Sequence, residues 1–115
     1  MSACGGGGAD IPALATEAAD ATAATSFNLV AEDTEFDTDT LVVAADREVA
    51  ITLENRDSAL HNIAVYSEKG GDEIFRGELF TGEDRREYRF QAPAAGVYYF
   101  RCDAHPEMDG VFIAR

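Results

Sequence analysis

The sequence predicts an all-β sandwich of seven to eight short strands, and three observations favour it. From Ser26 onward, apolar residues recur at every second position, as they do in a strand with one face in a core. Turns rich in Asn, Asp, Ser and Gly interrupt this alternation every several residues. The 115-residue chain is 46% apolar, which is enough for the core of one small domain.

Seven segments of the chain carry the strand pattern. It is clearest in 48–54, where Val49, Ile51 and Leu53 are expected to face the core. A polar turn precedes the segment that starts at His61, and a loop with two glycines follows it. In chain order, the predicted strands are 27–31, 40–44, 48–54, 61–66, 86–90, 96–101 and 111–113.

Residues 1–25 differ in composition from the predicted domain at 26–115 and are expected to form a flexible linker. They contain nine alanines, four consecutive glycines and no aromatic residue. The small residues around Cys4 resemble the end of a lipoprotein signal, in which the cysteine becomes lipidated. We therefore expect membrane attachment through a lipidated Cys4. The alternative is an incidental cysteine in a glycine-rich tag.

Acidic side chains outnumber basic ones by 22 to 9, which gives a net charge of −13. This balance excludes nucleic acid as a partner, because binding a phosphate backbone relies on Lys and Arg. The domain holds all nine basic residues and nineteen of the acidic ones, so a protein partner is expected to present a basic docking face. We expect the protein to be a monomer. We expect no disulfide, because Cys4 lies in flexible chain at the opposite end from Cys102.

Four side chains of the domain can bind a soft metal: its single cysteine, its single methionine and its two histidines. Cys102, His105 and Met108 fall within seven consecutive residues, and His61 lies about forty residues earlier. Two imidazoles and a thiolate with a weak axial thioether form the donor set of mononuclear copper in electron-transfer proteins. The sulfur ligands stabilise Cu(I) and the imidazoles tolerate Cu(II). The sequence therefore predicts one copper ion as cofactor, bound by these four residues.

The segment 98–108, together with Asn55 and the His61–Asn62 pair, resembles the ligand regions of the cupredoxins, the type 1 blue copper proteins. The spacing of Cys102 and the two ligands after it is similar to the short loop of amicyanins, and the acidic surface resembles that of halocyanins. The resemblance implies a cupredoxin-type Greek-key β-sandwich. It implies equatorial ligands at His61, Cys102 and His105, with Met108 as the axial one.

The same resemblance implies surroundings for the ligands. The Asn62 backbone N–H is expected to donate to the Cys102 sulfur, and the Asn62 side chain to tie the two ligand loops together. His105 is expected to be the more exposed ligand, bordered by the small apolar patch of Leu60, Ala104 and Pro106. Electrons would enter or leave through this patch.

The cupredoxin resemblance implies an electron carrier and not an enzyme. It would pass single electrons between redox proteins such as a cytochrome, an oxidase or a reductase, at the periplasmic or extracellular face of the cell membrane. A copper storage or delivery module with the same fold is the main alternative. Others are zinc at the same ligands, a nucleophilic Cys102–His105 pair, purely structural roles in a core, and Glu107 as an axial carboxylate. The acidic segment 33–39 lacks the glycine and glutamate of a calcium loop and is expected to be a solvated face.

Overall fold

Eleven strands, several of them very short, make up the described part of the chain. The structure is a computed structural model that describes residues 23–115. The predicted linker up to residue 22, including Cys4, lies outside the described residues. Within residues 23–115, no helix has the length and apolar character needed to cross a membrane. The strands are β1 Ser26–Glu32, β2 Glu35–Phe36, β3 Thr40–Val43, β4 Glu48–Asn55, β5 Leu60–His61, β6 Ala64–Tyr66, β7 Glu73–Arg76, β8 Phe80–Thr81, β9 Asp84–Gln91, β10 Gly96–Cys102 and β11 His105–Ala114.

Two sheets carry most of the chain, and two short strands form a separate pair. The first sheet has the order β2-β1-β4-β9, the second has the order β3-β11-β10-β6-β7, and β5 pairs with β8. The β1–β4 and β3–β11 pairs are parallel, and the other pairs are antiparallel. The predicted all-β sandwich is confirmed.

The core is built from alternate residues of both sheets, as the sequence pattern predicted. Val49, Ile51 and Leu53 of β4 are fully buried. They share one cluster with Phe100 of β10 and Phe112 of β11. Each such side chain contributes about 1.5–3 kcal/mol by leaving water. This core fixes β4, β10 and β11, which carry or border the candidate ligands.

The predicted strand 61–66 is wrong, because it is two short strands with different partners. β5 pairs with β8, whereas β6 pairs with β10 on one side and β7 on the other. Between them Asn62 and Ile63 are fully buried. The Asn62 side chain donates to the carbonyl of Gly77, and the Ile63 carbonyl accepts from the Gly77 amide. These contacts replace strand pairing at this point, so His61 lies in the β5–β8 pair and Ala64 in the five-stranded sheet.

The strands β2 and β8 have two residues each, too few to show a period, and β7 has two adjacent apolar residues and no alternation. β11 also begins at His105, six residues before the predicted strand 111–113, because the chain turns back directly after β10. At the other end, Ala24 forms a parallel bridge with Val43, and the Thr25 carbonyl accepts from the Ala50 amide at 2.9 Å. Residues at the end of the predicted linker thus contact the sandwich.

Candidate metal centre

A tight hairpin between β10 and β11 brings two of the candidate ligands together. Cys102 is the last residue of β10 and His105 the first of β11, and they are direct partners across the hairpin. The register shifts between Arg101 and Cys102, so the pairing is irregular at the point where the ligand begins. Cys102 is fully buried, and His105 is half-buried. The hairpin therefore places the sulfur inside and the imidazole at the rim.

His61 completes the cluster from β5. The Cys102 sulfur lies 3.6 Å from Nδ1 of His61 and 3.7 Å from Nδ1 of His105. The two imidazole rings are 4.9 Å apart between centroids. The donor atoms of these three residues all lie within 4.8 Å of one another. Sequence positions about forty residues apart thus meet at one point.

The spacing of the donor atoms fits a single metal ion. An ion held about 2.3 Å from sulfur and about 2.0 Å from nitrogen, at angles between tetrahedral and trigonal, sets those two atoms about 3.5–3.8 Å apart. The observed sulfur-to-nitrogen distances of 3.6 and 3.7 Å fall in this range. A thiolate with two imidazoles is a donor set suited to copper or zinc. The three side chains could hold such an ion with little movement.

Met108 is a buried residue of β11, and its neighbour Glu107 is not. The Met108 side chain is 3% exposed and belongs to the same core cluster as Cys102. Glu107 is exposed. Because Glu107 is exposed, it is disfavoured as an axial ligand. The Met108 thioether is the candidate axial donor that lies in the core.

The buried ring of His61 is held from its other side by a carboxylate. Nε2 of His61 lies 2.8 Å from Oδ2 of Asp57, and the imidazole is fully buried. The hydrogen bond from His61, together with the backbone N–H groups of Thr34 and Asp33, holds the pKa of Asp57 below its ordinary value. An ionised carboxylate only accepts hydrogen bonds, so Nε2 carries a hydrogen. In the neutral ring, Nδ1 then keeps its lone pair and faces the sulfur.

A second carboxylate, Asp103, joins the two ligand loops. Its backbone N–H donates to Oδ1 of Asn62 at 2.8 Å, and its carboxylate accepts from Nδ2 of Asn62 at 3.2 Å. The carboxylate also accepts from the Tyr66 hydroxyl at 2.7 Å and from the guanidinium groups of Arg101 and Arg76, both at 3.1 Å. The expected role of the Asn62 side chain as a tie between the loops therefore matches the geometry.

Asp103 is nearly buried, with 8% of its side chain exposed. Burial raises the pKa of this carboxyl, but the hydrogen bonds from Tyr66, Asn62 and Arg101 outweigh burial and hold the pKa below its ordinary value. Asp103 is therefore ionised, and its hydrogen bonds and ion pairs hold the chain in place directly after Cys102.

The hydrogen bond expected from the Asn62 backbone N–H to the Cys102 sulfur is not found within residues 23–115. A carbonyl, that of Leu60, lies 4.0 Å from this sulfur.

The rim around His105 is apolar and is bordered by acidic side chains. Ala104 and Pro106 are exposed, and Leu60 is 44% exposed. A shallow depression beside Met108 is lined by acidic residues from two parts of the chain. Within residues 23–115, these carboxylates form no ion pairs. The carboxylates that line this depression are those of Glu35, Asp39, Glu107 and Asp109.

Asp57 and Asp103 are neighbours of the ligands that were not predicted from the sequence. Asp103 could have been found, because it follows Cys102 directly. Asp57 gives a weaker signal, since acidic residues are common in polar turns such as 55–58. Its role depends on a contact with the turn between β1 and β2 that no local pattern encodes.

Comparison with known proteins identifies the type of domain. The family model described as a cupredoxin-like domain matches residues 11–114 of this chain. A search of the curated proteins gives no match to the chain.

Several solved structures resemble this fold. Auracyanin from the photosynthetic bacterium Roseiflexus castenholzii has a TM-score of 0.71 at 20% identity, covering 82% of this chain and 99% of that one. Auracyanin A, described as a "blue" copper protein from Chloroflexus aurantiacus, has a TM-score of 0.70 at 23% identity, covering 78% and 98%. Amicyanin from Paracoccus versutus has a TM-score of 0.58 at 28% identity, covering 85% and 88%. The auracyanin likenesses show a shared fold.

Proposed function

This chain belongs to the cupredoxin-like family, and we propose that it is a type 1 (blue) copper protein that carries single electrons between redox proteins. The observation that carries the proposal is the convergence of the Cys102 sulfur with Nδ1 of His61 and of His105. The proposed ligands are these three residues and Met108. A copper ion at this site supplies one-electron Cu(II)/Cu(I) chemistry. The similarity to auracyanin A, described as a "blue" copper protein, supports the copper part of this proposal.

The protein's contribution is a frame that holds the donors in one arrangement. His61 is fully buried and bonded to Asp57, and Cys102 is fixed between β10 and the Asn62–Asp103 tie. Ligands held in this way would move little when a bound copper ion changes between Cu(II) and Cu(I). The reorganisation energy would therefore be small. A low reorganisation energy is what a protein needs for fast electron exchange.

The His105 side is where electrons are exchanged. His105 is half-buried, whereas the other two ligands that converge are fully buried, and its surroundings are small and apolar. A partner can approach this ring closely without displacing charged side chains. The acidic residues around the depression beside Met108 would attract a partner with a basic face. We propose docking of such a partner over the patch of Leu60, Ala104 and Pro106.

The cellular setting belongs to the same proposal. We propose that the domain works as a monomer on the periplasmic or extracellular face of the cell membrane. Its linker, residues 1–25, would tether it there through a lipidated Cys4. In this setting the protein transfers electrons and catalyses no substrate chemistry itself.

The test is a titration of the metal-free protein with Cu(II), followed by visible absorption. We expect an intense blue band that saturates at one equivalent of copper. Cys102→Ser is expected to lose the band, because the band requires the thiolate. Glu107→Gln is the matched control at the same loop and is expected to keep it. A colourless complex, or a band that survives in Cys102→Ser, would contradict the proposed site.

A further inference from the structure

Asp57 occupies an unusual position for an acidic side chain. It lies in the turn between β4 and β5, and 18% of its side chain is exposed. Oδ2 accepts from Nε2 of the fully buried His61 at 2.8 Å. Its backbone N–H donates to Oδ1 of Asn55 at 2.8 Å, which fixes the turn from the chain side. The carboxylate is thus aimed inward at a single titratable partner.

A strained turn holds the carboxylate from the opposite side. The two residues between β1 and β2 are Asp33 and Thr34, and both have positive φ angles, 57° and 60°. A two-residue hairpin loop with this backbone normally takes Asn-Gly, and positive φ is unfavourable for a β-branched residue such as Thr. The two backbone N–H groups of this turn donate to Asp57, from Asp33 to Oδ1 and from Thr34 to Oδ2, each at 3.0 Å. Strain of this kind persists where surrounding contacts demand it.

We propose that Asp57 is a positioning residue for the metal site, which fixes His61 with Nδ1 toward the metal and lowers the reduction potential. The inference rests on the proposed function, since it takes His61 as a copper ligand. The β1–β2 turn fixes both carboxylate oxygens, and Oδ2 in turn fixes the hydrogen of Nε2. The ring then has one orientation and one tautomer, and its free nitrogen faces the Cys102 sulfur at 3.6 Å.

The sign of the change in reduction potential follows from the negative charge of Asp57. A carboxylate that accepts a hydrogen bond from a ligating imidazole makes that imidazole a stronger donor. A stronger donor with a negative charge behind it stabilises Cu(II), the more positive state, more than Cu(I). The half-buried setting of Asp57 limits the solvent screening that would weaken this effect. Removing the charge should therefore raise the potential, so that the protein accepts an electron more readily.

The first test uses the wild-type protein without metal. Nitrogen-15 NMR of the imidazoles reports which ring nitrogen carries a proton. We expect Nε2 of His61 to be protonated and its proton to exchange slowly with water. An unprotonated Nε2 would overturn the inference, whatever the copper-loaded protein does. This readout does not depend on a variant that folds.

The second test compares the reduction potentials of copper-loaded variants. Asp57→Asn keeps the size and one acceptor oxygen but removes the charge. We expect its preference for Cu(II) over Cu(I) to fall about tenfold, which corresponds to a rise of about 59 mV. Asp37→Asn is the matched control, because Oδ1 of Asp37 also accepts a backbone N–H, that of Val30, in the same hairpin without touching a histidine. It should shift the potential far less.

The outcomes separate this inference from the proposed function. If the wild-type protein forms no blue band with Cu(II), the proposed function fails. If the wild-type protein forms the band but Asp57→Asn and Asp37→Asn have equal potentials, the role of Asp57 fails and the copper site stands. A larger rise for Asp57→Asn than for Asp37→Asn supports the inference, since a role limited to turn stability would not move the potential.

Discussion

The His61 side and the His105 side of the candidate site present the same ring nitrogen to the same sulfur but lie in opposite surroundings. Nδ1 of His61 is 3.6 Å from Cys102 and Nδ1 of His105 is 3.7 Å away. The His61 ring is fully buried and bonded to Asp57, whereas His105 is half-buried. Within residues 23–115, Nε2 of His105 has no hydrogen-bond partner. The difference supports the proposed division of roles, in which the His61 side fixes the geometry and the His105 side exchanges electrons with a partner.

The largest expected effect is an all-or-none difference between the two histidines when each is replaced by glycine. His105→Gly opens a space at the rim, so added imidazole should enter it, bind the copper and restore the blue band. His61→Gly should not be restored, because imidazole would have to enter a closed core and reach Asp57. Absorption spectra of the two copper-loaded variants, with and without imidazole, measure this. Equal restoration of both would remove the distinction between the two sides.

Removing a buried charge next to the ligands should lower the free energy of unfolding. Asp103→Asn removes the charge that Tyr66, Arg101 and Arg76 surround, and we expect a loss of about 2 kcal/mol in the free energy of unfolding at pH 7. Urea denaturation of the metal-free protein measures it. Glu107→Gln, at an exposed position, serves as the control and should change stability by no more than about 0.5 kcal/mol.

The effect of Asp103 should depend on pH in a defined direction. The folded protein holds the pKa of Asp103 below its ordinary value of 3.8, so the unfolded chain binds the proton more readily. The stabilisation is therefore complete above the ordinary value and is lost as pH falls through the lower folded pKa. The difference in the free energy of unfolding between wild type and Asp103→Asn should become smaller at acidic pH below 3.8. If this difference stays constant on acidification, the charge of Asp103 is not what stabilises the fold.

The smallest expected effect concerns the exposed side. Glu107→Gln should slow association with a positively charged cytochrome c about twofold at low ionic strength, because the variant weakens electrostatic steering. The difference should vanish in about 1 M salt, where the screening length is short. Asp46→Asn is the control, since the Asp46 backbone N–H donates to the carbonyl of Pro93, which precedes the end of β10 opposite Cys102. Stopped-flow electron transfer measures these rates, and an equal slowing by both variants would argue against docking at the rim.

Much of this arrangement could be predicted from the sequence, because it depends on local patterns. The alternation of Val49, Ile51 and Leu53 predicted a buried face of β4, and all three are buried. The spacing of Cys102, His105 and Met108 placed three candidate ligands in one loop, and their chemistry indicated copper. Met108, the expected axial ligand, is buried, whereas Glu107, the alternative axial ligand, is exposed.

What the sequence could not show depends on contacts between distant segments. The break of the predicted strand at Asn62 follows from bonds to Gly77 and Asp103, residues 15 and 41 positions away. The contact of Asp57 with Thr34 spans 23 positions and requires a strained turn. Neither leaves a periodic signal, since each depends on a single side chain that meets a distant backbone or side-chain group. The support of the ligands is therefore harder to predict than the ligands themselves.

The measurement that tests the account most directly is repeated reduction and reoxidation of the copper-loaded protein in the presence of a strong Cu(I) chelator. An electron carrier whose buried side holds His61 and Cys102 in place should keep its copper. We predict that the blue band disappears on each reduction and returns to its full height on each reoxidation. A band that shrinks from cycle to cycle while the chelator takes up copper would contradict the account and indicate a copper storage or delivery protein.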